Sequence, residues 1–329
     1  MVEIPFTNGS SKPPRVPRVL TIAGSDSSGG AGIEADLKTI TVHGCYGLTC
    51  ITALTAQNTT GVRSIHATPA EFVADMLDMD FIDVDVDAVK TGMLASRDTI
   101  LTISQKLREY GARNICVDPV MISTSGAQLL PDSAVDAYIS ELFPLALIIT
   151  PNLQEAQFLY SVANGGKSFA VDSLDDAKAL AVALHALGPK CVLLKGGHLP
   201  LLPTYRRATD AQAAAAQEKQ IVADVLYDGA EFTIVESPFL VTKNTHGTGC
   251  TLSCMFELNC IGIYSIDNIT AAIASNLAKG RQVPAAVREA IAYVHGAIAH
   301  GVEIGHGNGP INHIHRTYIQ PAEWLGGHT

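Results

Sequence analysis

The chain has 329 residues, 47% of them hydrophobic and only 16% charged, with a formal net charge of -10. That balance predicts a large buried core and argues against a polybasic surface for nucleic acid or anionic membrane, while a local basic site for a small anionic ligand stays open. The cysteines Cys45, Cys50, Cys116, Cys191, Cys250, Cys254 and Cys260 form no C-x-x-C pair and no zinc spacing, so free thiols in a reducing cytosol are expected.

The opening MVEIPFTNGSSKPPRVPR lacks the apolar core of a secretory signal, and residues 1–16 read as a flexible leader. RVLTIAG then reads as a buried strand and AGIEADLKTITVHG as a helix. GLTCITALTAQNTTGVRSIHATP has strand character on both sides of a turn, as a β flap beside a sheet would. Residues 39–62 lack charge, but His43, Gln57, Asn58 and several threonines and glycines argue against a membrane span, so a soluble, cytoplasmic chain is expected.

The strand-then-helix beat repeats: DAVKTG and SRDTILTISQKLREYG, NICVDPV and PDSAVDAYISELFP, ALIITPN and LQEAQFLYSVAN. A helical DSLDDAKALAVALHALG then leads into KCVLLKGG. Short apolar strands alternating with helices predict an α/β fold whose parallel sheet is covered on both faces. Residues 199–220, with prolines, paired arginines and an alanine run, read as a surface insertion, and IVADVLYDGAEFTIVES as a hairpin around Asp228 and Gly229. From Gly249 to about Gly301 the pattern is mostly helical, and no Pro/Gly-rich linker divides the chain, so residues 17–329 are expected to form a single domain.

Two motifs mislead. GAGIEA (30–35) matches a dinucleotide fingerprint between strand and helix, but the next strand ends near Leu54–Asn58 without the acidic residue that would hold a ribose. GGKS (165–168) resembles a phosphate-binding loop, yet the required first glycine is Ser161.

Ligand sites of open α/β sheets gather at the carboxyl ends of strands. There the sequence places Gly24, Asp26, Gln57, Lys90, Asp118, Asn152, Glu155, Lys195 and the turn Gly247–Cys250. In NTHGTGC the glycines admit close backbone approach, and a helix starting after them aims N–H groups at an anion and lowers the pKa of a thiol. Carboxylates, lysines and an anion-binding helix start together suggest metal-assisted phosphoryl transfer.

AGSDSSGGAGIEADLKT, TALTAQNTTGV, VKTGML, VDPVM, ITPNLQEA, LLKGGH, TKNTHGTGCTLS and GHGNGP, in order between about residue 18 and residue 315, resemble the hydroxymethylpyrimidine and hydroxymethylpyrimidine phosphate kinases of the ribokinase superfamily. The resemblance implies a ribokinase-like three-layer fold and transfer of the γ-phosphoryl of ATP, with Mg²⁺, to the hydroxymethyl group of 4-amino-5-hydroxymethyl-2-methylpyrimidine and then to its monophosphate, in thiamine diphosphate biosynthesis. It also implies a homo-oligomer such as a dimer. Fungal relatives often continue into a thiaminase-like domain; this chain stops at Thr329, so that activity is not expected.

The resemblance implies that Gln57 and Asp36 contact the pyrimidine, with Gly24, Met93 and Val120 as its walls. A glutamine amide can pair with the amino and ring-nitrogen edge of an aminopyrimidine. Taken alone, Asp36 reads as a solvated helix carboxylate, and Met93 and Val120 as core. Asn152 would contact the nucleotide side, Glu155 and Asp118 would serve Mg²⁺, and Lys195 and Lys243 would contact phosphates. Asn152 and Glu155 also read as a helix capping box. Gly247, Thr248 and Gly249 would give N–H groups to the transferring phosphoryl, and Cys250 stands where sugar kinases of the superfamily carry an aspartate base. An ordinary thiol is only about 3% ionised at pH 7, but a helix start raises that fraction. His246, His198 and Cys254 read as structural. The rivals are a pyridoxal kinase on the same fold and a catalytically silent pyrimidine sensor.

Overall fold

RVLTIAGSD is buried at seven of its nine positions, Thr21 and Asp26 included, as a strand covered on both faces must be, and it lies in the interior of the sheet. The computed structural model describes residues 15–121, 134–197, 201–207, 220–240, 266–307 and 309–316. The strands are β1 (Arg18–Asp26), β2 (Tyr46–Asn58), β3 (Gly61–Ala67), β4 (Ala88–Thr91), β5 (Ile115–Val117), β6 (Ile148–Ile149), β7 (Val192–Leu194), β8 (Ile221–Tyr227) and β9 (Phe232–Pro238). They make one nine-stranded sheet in the order β3-β2-β1-β4-β5-β6-β7-β8-β9. The pairings from β2 through β1 and β4 to β7 are parallel, and β3, β8 and β9 add antiparallel edges.

The helices are α1 (Gly32–Val42), α2 (Ala70–Asp83), α3 (Arg97–Glu109), the single turn α4 (Val135–Ala137), α5 (Leu153–Ala163), α6 (Leu174–His185), α7 (Ile266–Ala278) and α8 (Val283–Ala299). Alternate strand residues point to opposite faces. Leu20 and Ile22 enter one core with Val73, Ile100, Leu159 and Leu180, while Val19 enters the other with Ile40, Ile273 and Ile291. Helices α2, α3, α5 and α6 therefore cover one face and α1, α7 and α8 the other, giving three layers.

The pattern departs from expectation in two places. VDAYISELFPL is not one regular helix: after α4 it continues as a π turn (Tyr138–Leu142) and a 3-10 turn (Phe143–Leu145). Pro144 stands inside that last turn, and buried Tyr138 donates to the Gly92 carbonyl at 3.2 Å. Helix α2, whose apolar residues run almost all round, buries only Val73 and Leu77 and was not anticipated. Within 199–220, residues 201–207 are described; Leu201 is 1% exposed and bonds β8 at Ile221, so that point is anchored in the core. Among the described residues no helix is long and apolar enough to cross a membrane.

Candidate active site

The turn after β1 is built by two carboxylates. Asp26, 2% exposed, accepts from Ser28 N–H (2.9 Å) and Oγ–H (2.8 Å) on one oxygen and from the N–H groups of Gly30 (3.0 Å) and Ala31 (2.9 Å) on the other. Glu34, in the first turn of α1, accepts from Ser25 Oγ–H (2.6 Å) and Asp26 N–H (2.7 Å). Gly32 has φ +57°, and a Cβ there would stand 2.2 Å from the Gly24 carbonyl oxygen. Of the two glycines of the apparent dinucleotide fingerprint, Gly32 thus serves the packing of α1 on β1 and Gly30 gives its N–H to Asp26.

Gly24 and Met93 lie directly against each other: a Cβ on Gly24 would lie 2.3 Å from Met93 Cε. Met93 is buried, and its carbonyl accepts from Thr52 Oγ1 at 2.6 Å. Gln57 stands in the β2–β3 hairpin, half-buried; Ser27 Oγ accepts from its N–H (3.0 Å) and donates to its carbonyl (2.8 Å), tying the flap to the β1 turn. The glycines of GHGNGP close on the same hairpin, since a Cβ on Gly307 would stand 2.0 Å from the Thr59 carbonyl oxygen.

Beneath this wall lies a sealed ion pair. Lys90 on β4 and Asp36 on α1 are both 0% exposed, with Nζ 2.8 Å from Oδ2, which also accepts from Thr21 Oγ1 at 2.5 Å. Asp36 is thus no solvated carboxylate. Burial pushes its pKa up, against the pull of Lys90 and Thr21. Its Oδ1 has no hydrogen-bond partner among the described residues.

A second buried pair joins Lys195, after β7, to Asp118, after β5, at 3.0 Å. The Asp118 N–H donates to the Thr91 carbonyl (3.0 Å) and Val120 N–H to the Asp118 carbonyl (2.9 Å), which fixes the turn carrying Val120. Lys195 N–H donates to the Pro151 carbonyl at 3.0 Å, so Lys195 and Asn152 sit side by side. Asn152 and Glu155 form the expected capping box at the start of α5: Glu155 N–H donates to Asn152 Oδ1 (2.8 Å) and Asn152 N–H to Glu155 Oε2 (2.9 Å). The box leaves Asn152 Nδ2 and Asp118 Oδ2 buried without a partner among the described residues.

Two features of this edge escaped the sequence reading. Asp224, on β8, accepts from the Gly196 N–H at 2.7 Å and so shapes the turn after Lys195; burial pushes its pKa up to about 6. A Cβ on Gly196 would lie 2.1 Å from the Ala223 carbonyl oxygen, so the turn rests directly on β8. Thr150 also meets Thr270 of α7 at 2.7 Å, bringing that helix to the end of β6. An aspartate inside the apolar IVADVLY was the available signal for the first; nothing local marks the second. Lys243, Gly247, Thr248, Gly249 and Cys250, with His198, His246 and Cys254, lie outside the described residues.

A family model described as phosphomethylpyrimidine kinase matches residues 26–312. The thiamine biosynthesis bifunctional protein of Geobacter sulfurreducens is 44% identical over 94% of this chain, which spans 53% of that relative. The hydroxymethylpyrimidine/phosphomethylpyrimidine kinase of Rhizobium meliloti is 44% identical over 90% of this chain and 97% of its own length. The chain thus spans about half of the bifunctional relative and nearly all of the single-kinase one. Among solved structures, the pyridoxal kinase of Staphylococcus aureus with AMP-PCP and pyridoxal superposes with a TM-score of 0.73 at 29% identity, over 93% of this chain and 96% of that one.

Proposed function

The chain belongs to the phosphomethylpyrimidine kinase family, with a ribokinase-like fold, and from that premise we propose that it phosphorylates 4-amino-5-hydroxymethyl-2-methylpyrimidine and then the resulting monophosphate with ATP. The observation that carries this reading is the gathering, along the carboxyl edge of β2, β1, β4, β5 and β7, of the Gly24–Met93 contact, a pinned Gln57 and two buried lysine–carboxylate pairs, the first completed by Asp36 of α1. In this reading the Gln57 amide reads the aminopyrimidine edge and Gly24, Met93 and Val120 hold the ring. Asp36 acts on the ring's pocket by holding Lys90. Lys195, Lys243 and Asn152 take the phosphates, and the N–H groups of Gly247, Thr248 and Gly249 take the charge that grows on the transferring phosphoryl. Cys250 accepts the proton of the attacking hydroxyl.

No set of three or more metal-ligating side chains occurs among the described residues. Mg²⁺ keeps several waters and is commonly held by one or two carboxylates together with substrate phosphates. The buried Asp118 Oδ2, without a partner among the described residues, is an oxygen that a cation would satisfy, and Glu155 would be the second carboxylate. Bound there with the nucleotide, Mg²⁺ would neutralise phosphate charge.

The test is incubation of the purified chain with ATP, Mg²⁺ and the pyrimidine alcohol; formation of neither the mono- nor the diphosphate would sink the reading. The likeness to a pyridoxal kinase favours one second reading, a side activity on pyridoxal, for which the relative kcat/KM of the two alcohols is the deciding measurement.

A further inference from the structure

We propose that a recess between α1, α7 and α8, at the edge of the sheet opposite the candidate active site, is a second binding site, for a phosphorylated small molecule. Its position follows from the topology. Helix α1 leaves the carboxyl end of β1 and runs back to His43, where the Tyr46 N–H bonds the Pro17 carbonyl beside the first residues of β1. Helix α7 runs the same way, from Thr270 beside Thr150 to Ser275, whose carbonyl lies 3.6 Å from Cys45 Sγ.

The recess holds about 480 Å³, within the range of small-molecule sites, and Lys279, Arg281, Arg316, His43 and His313 line it with Glu289 as the one carboxylate among the described residues. Glu289 pairs with Arg281 at 3.5 Å, and among the described residues neither Lys279 nor Arg316 has a carboxylate within ion-pair distance. This concentration of positive charge stands on a chain whose net charge is -10. The field enters the recess: burial, with Lys279 and Arg316 adding to it, pushes the His43 pKa down to about 4. Tyr293 supplies an aromatic wall, with the His43 ring edge-on at 4.6 Å and the Arg316 guanidinium over it at 5.8 Å.

Two of these charges have local explanations. Lys279 follows the C-terminus of α7 and complements its dipole, and Arg316 rests on an aromatic face. Neither effect explains why both cations border one open recess. The recess also touches the frame of the candidate active site. His43 Nδ1 donates to the Thr39 carbonyl (2.7 Å), Thr39 Oγ1 donates to Asn268 of α7 (2.8 Å) and lies 3.3 Å from His313 Nδ1, and Thr39 stands one turn beyond Asp36.

The experiment is calorimetric titration of the full chain, saturated with AMP-PCP to occupy the nucleotide site, with inorganic pyrophosphate. One further site per chain is expected, weakened at least about tenfold in Lys279→Ala/Arg316→Ala and recovered in Lys279→Arg/Arg316→Lys. Absence of pyrophosphate binding up to millimolar concentration, or equal affinity in the alanine variant, overturns the proposal. A chain that takes up no AMP-PCP yet binds pyrophosphate in a Lys279-dependent way supports this site and counts instead against the kinase reading.

Discussion

The cations at the two edges of the sheet live in opposite circumstances. At the carboxyl edge, Lys90 and Lys195 are 0% and 2% exposed and each touches a buried carboxylate. At the opposite edge, Lys279 and Arg316 are exposed and stand clear of carboxylates among the described residues. A buried pair contributes modestly to stability when intact but is costly to break, because the remaining charge is stranded. An exposed cation costs little to remove and is available to a ligand. The first edge is therefore built to hold a geometry, and the second to offer charge.

The largest test of that contrast breaks a buried pair. Lys90→Met should lower unfolding free energy by about 3–5 kcal/mol in urea titration, and Asp36→Leu/Lys90→Met should recover much of the loss. A loss below about 1 kcal/mol for Lys90→Met would place the pair on the same footing as a surface contact. The next test falls on chemistry. Cys250→Ala should leave nucleotide binding nearly intact and lower turnover about 100-fold or more if the thiol takes the proton; near-normal turnover would demote it to packing.

A third test uses pH. Asp224 is raised from 3.8 to about 6 in the fold, so the native state binds the extra proton between those values and stability falls as pH rises through that window. Asp224→Asn should remove that slope and raise stability near pH 7 by about 2–3 kcal/mol, as judged by urea midpoints at pH 4 and pH 7. His43 works in the other direction. Held near 4 in the fold against an ordinary 6.5, it makes stability fall as pH drops from about 6.5 toward 4; buried His313, also near 4, adds to the same slope, so His43→Gln should reduce that slope without abolishing it. The smallest effect sharpens the comparison most: Lys279→Ala should change stability by no more than about 0.5 kcal/mol, the cost of an ordinary surface substitution.

Much of this was legible in one sequence. RVLTIAG, DAVKTG, NICVDPV, ALIITPN and KCVLLKGG all became parallel strands, because an apolar run bounded by glycine, proline or aspartate has few other ways to bury itself. The polar residues after them formed the candidate site, because strand ends in a parallel sheet share one edge. Helix α2 was missed because its apolar residues lie nearly all round it, Phe72, Met79 and Ile82 outward and Val73 and Leu77 inward, so no stripe marks it. The break after α4 was hidden because local propensity does not report where a π turn relieves packing.

By itself the sequence determined which residue types end each strand, hence the class of chemistry, the capping box of Asn152 and Glu155, and the family. Those are properties of short segments, set by pattern and by contacts within a few residues. Only the tertiary structure decided which charge meets which. Asp36 and Lys90 are 54 positions apart, Asp118 and Lys195 77, and Gly196 and Asp224 28. Whether each carboxylate is solvated, paired or stranded depends on the sheet order that brings those segments together and on the burial that then fixes its protonation.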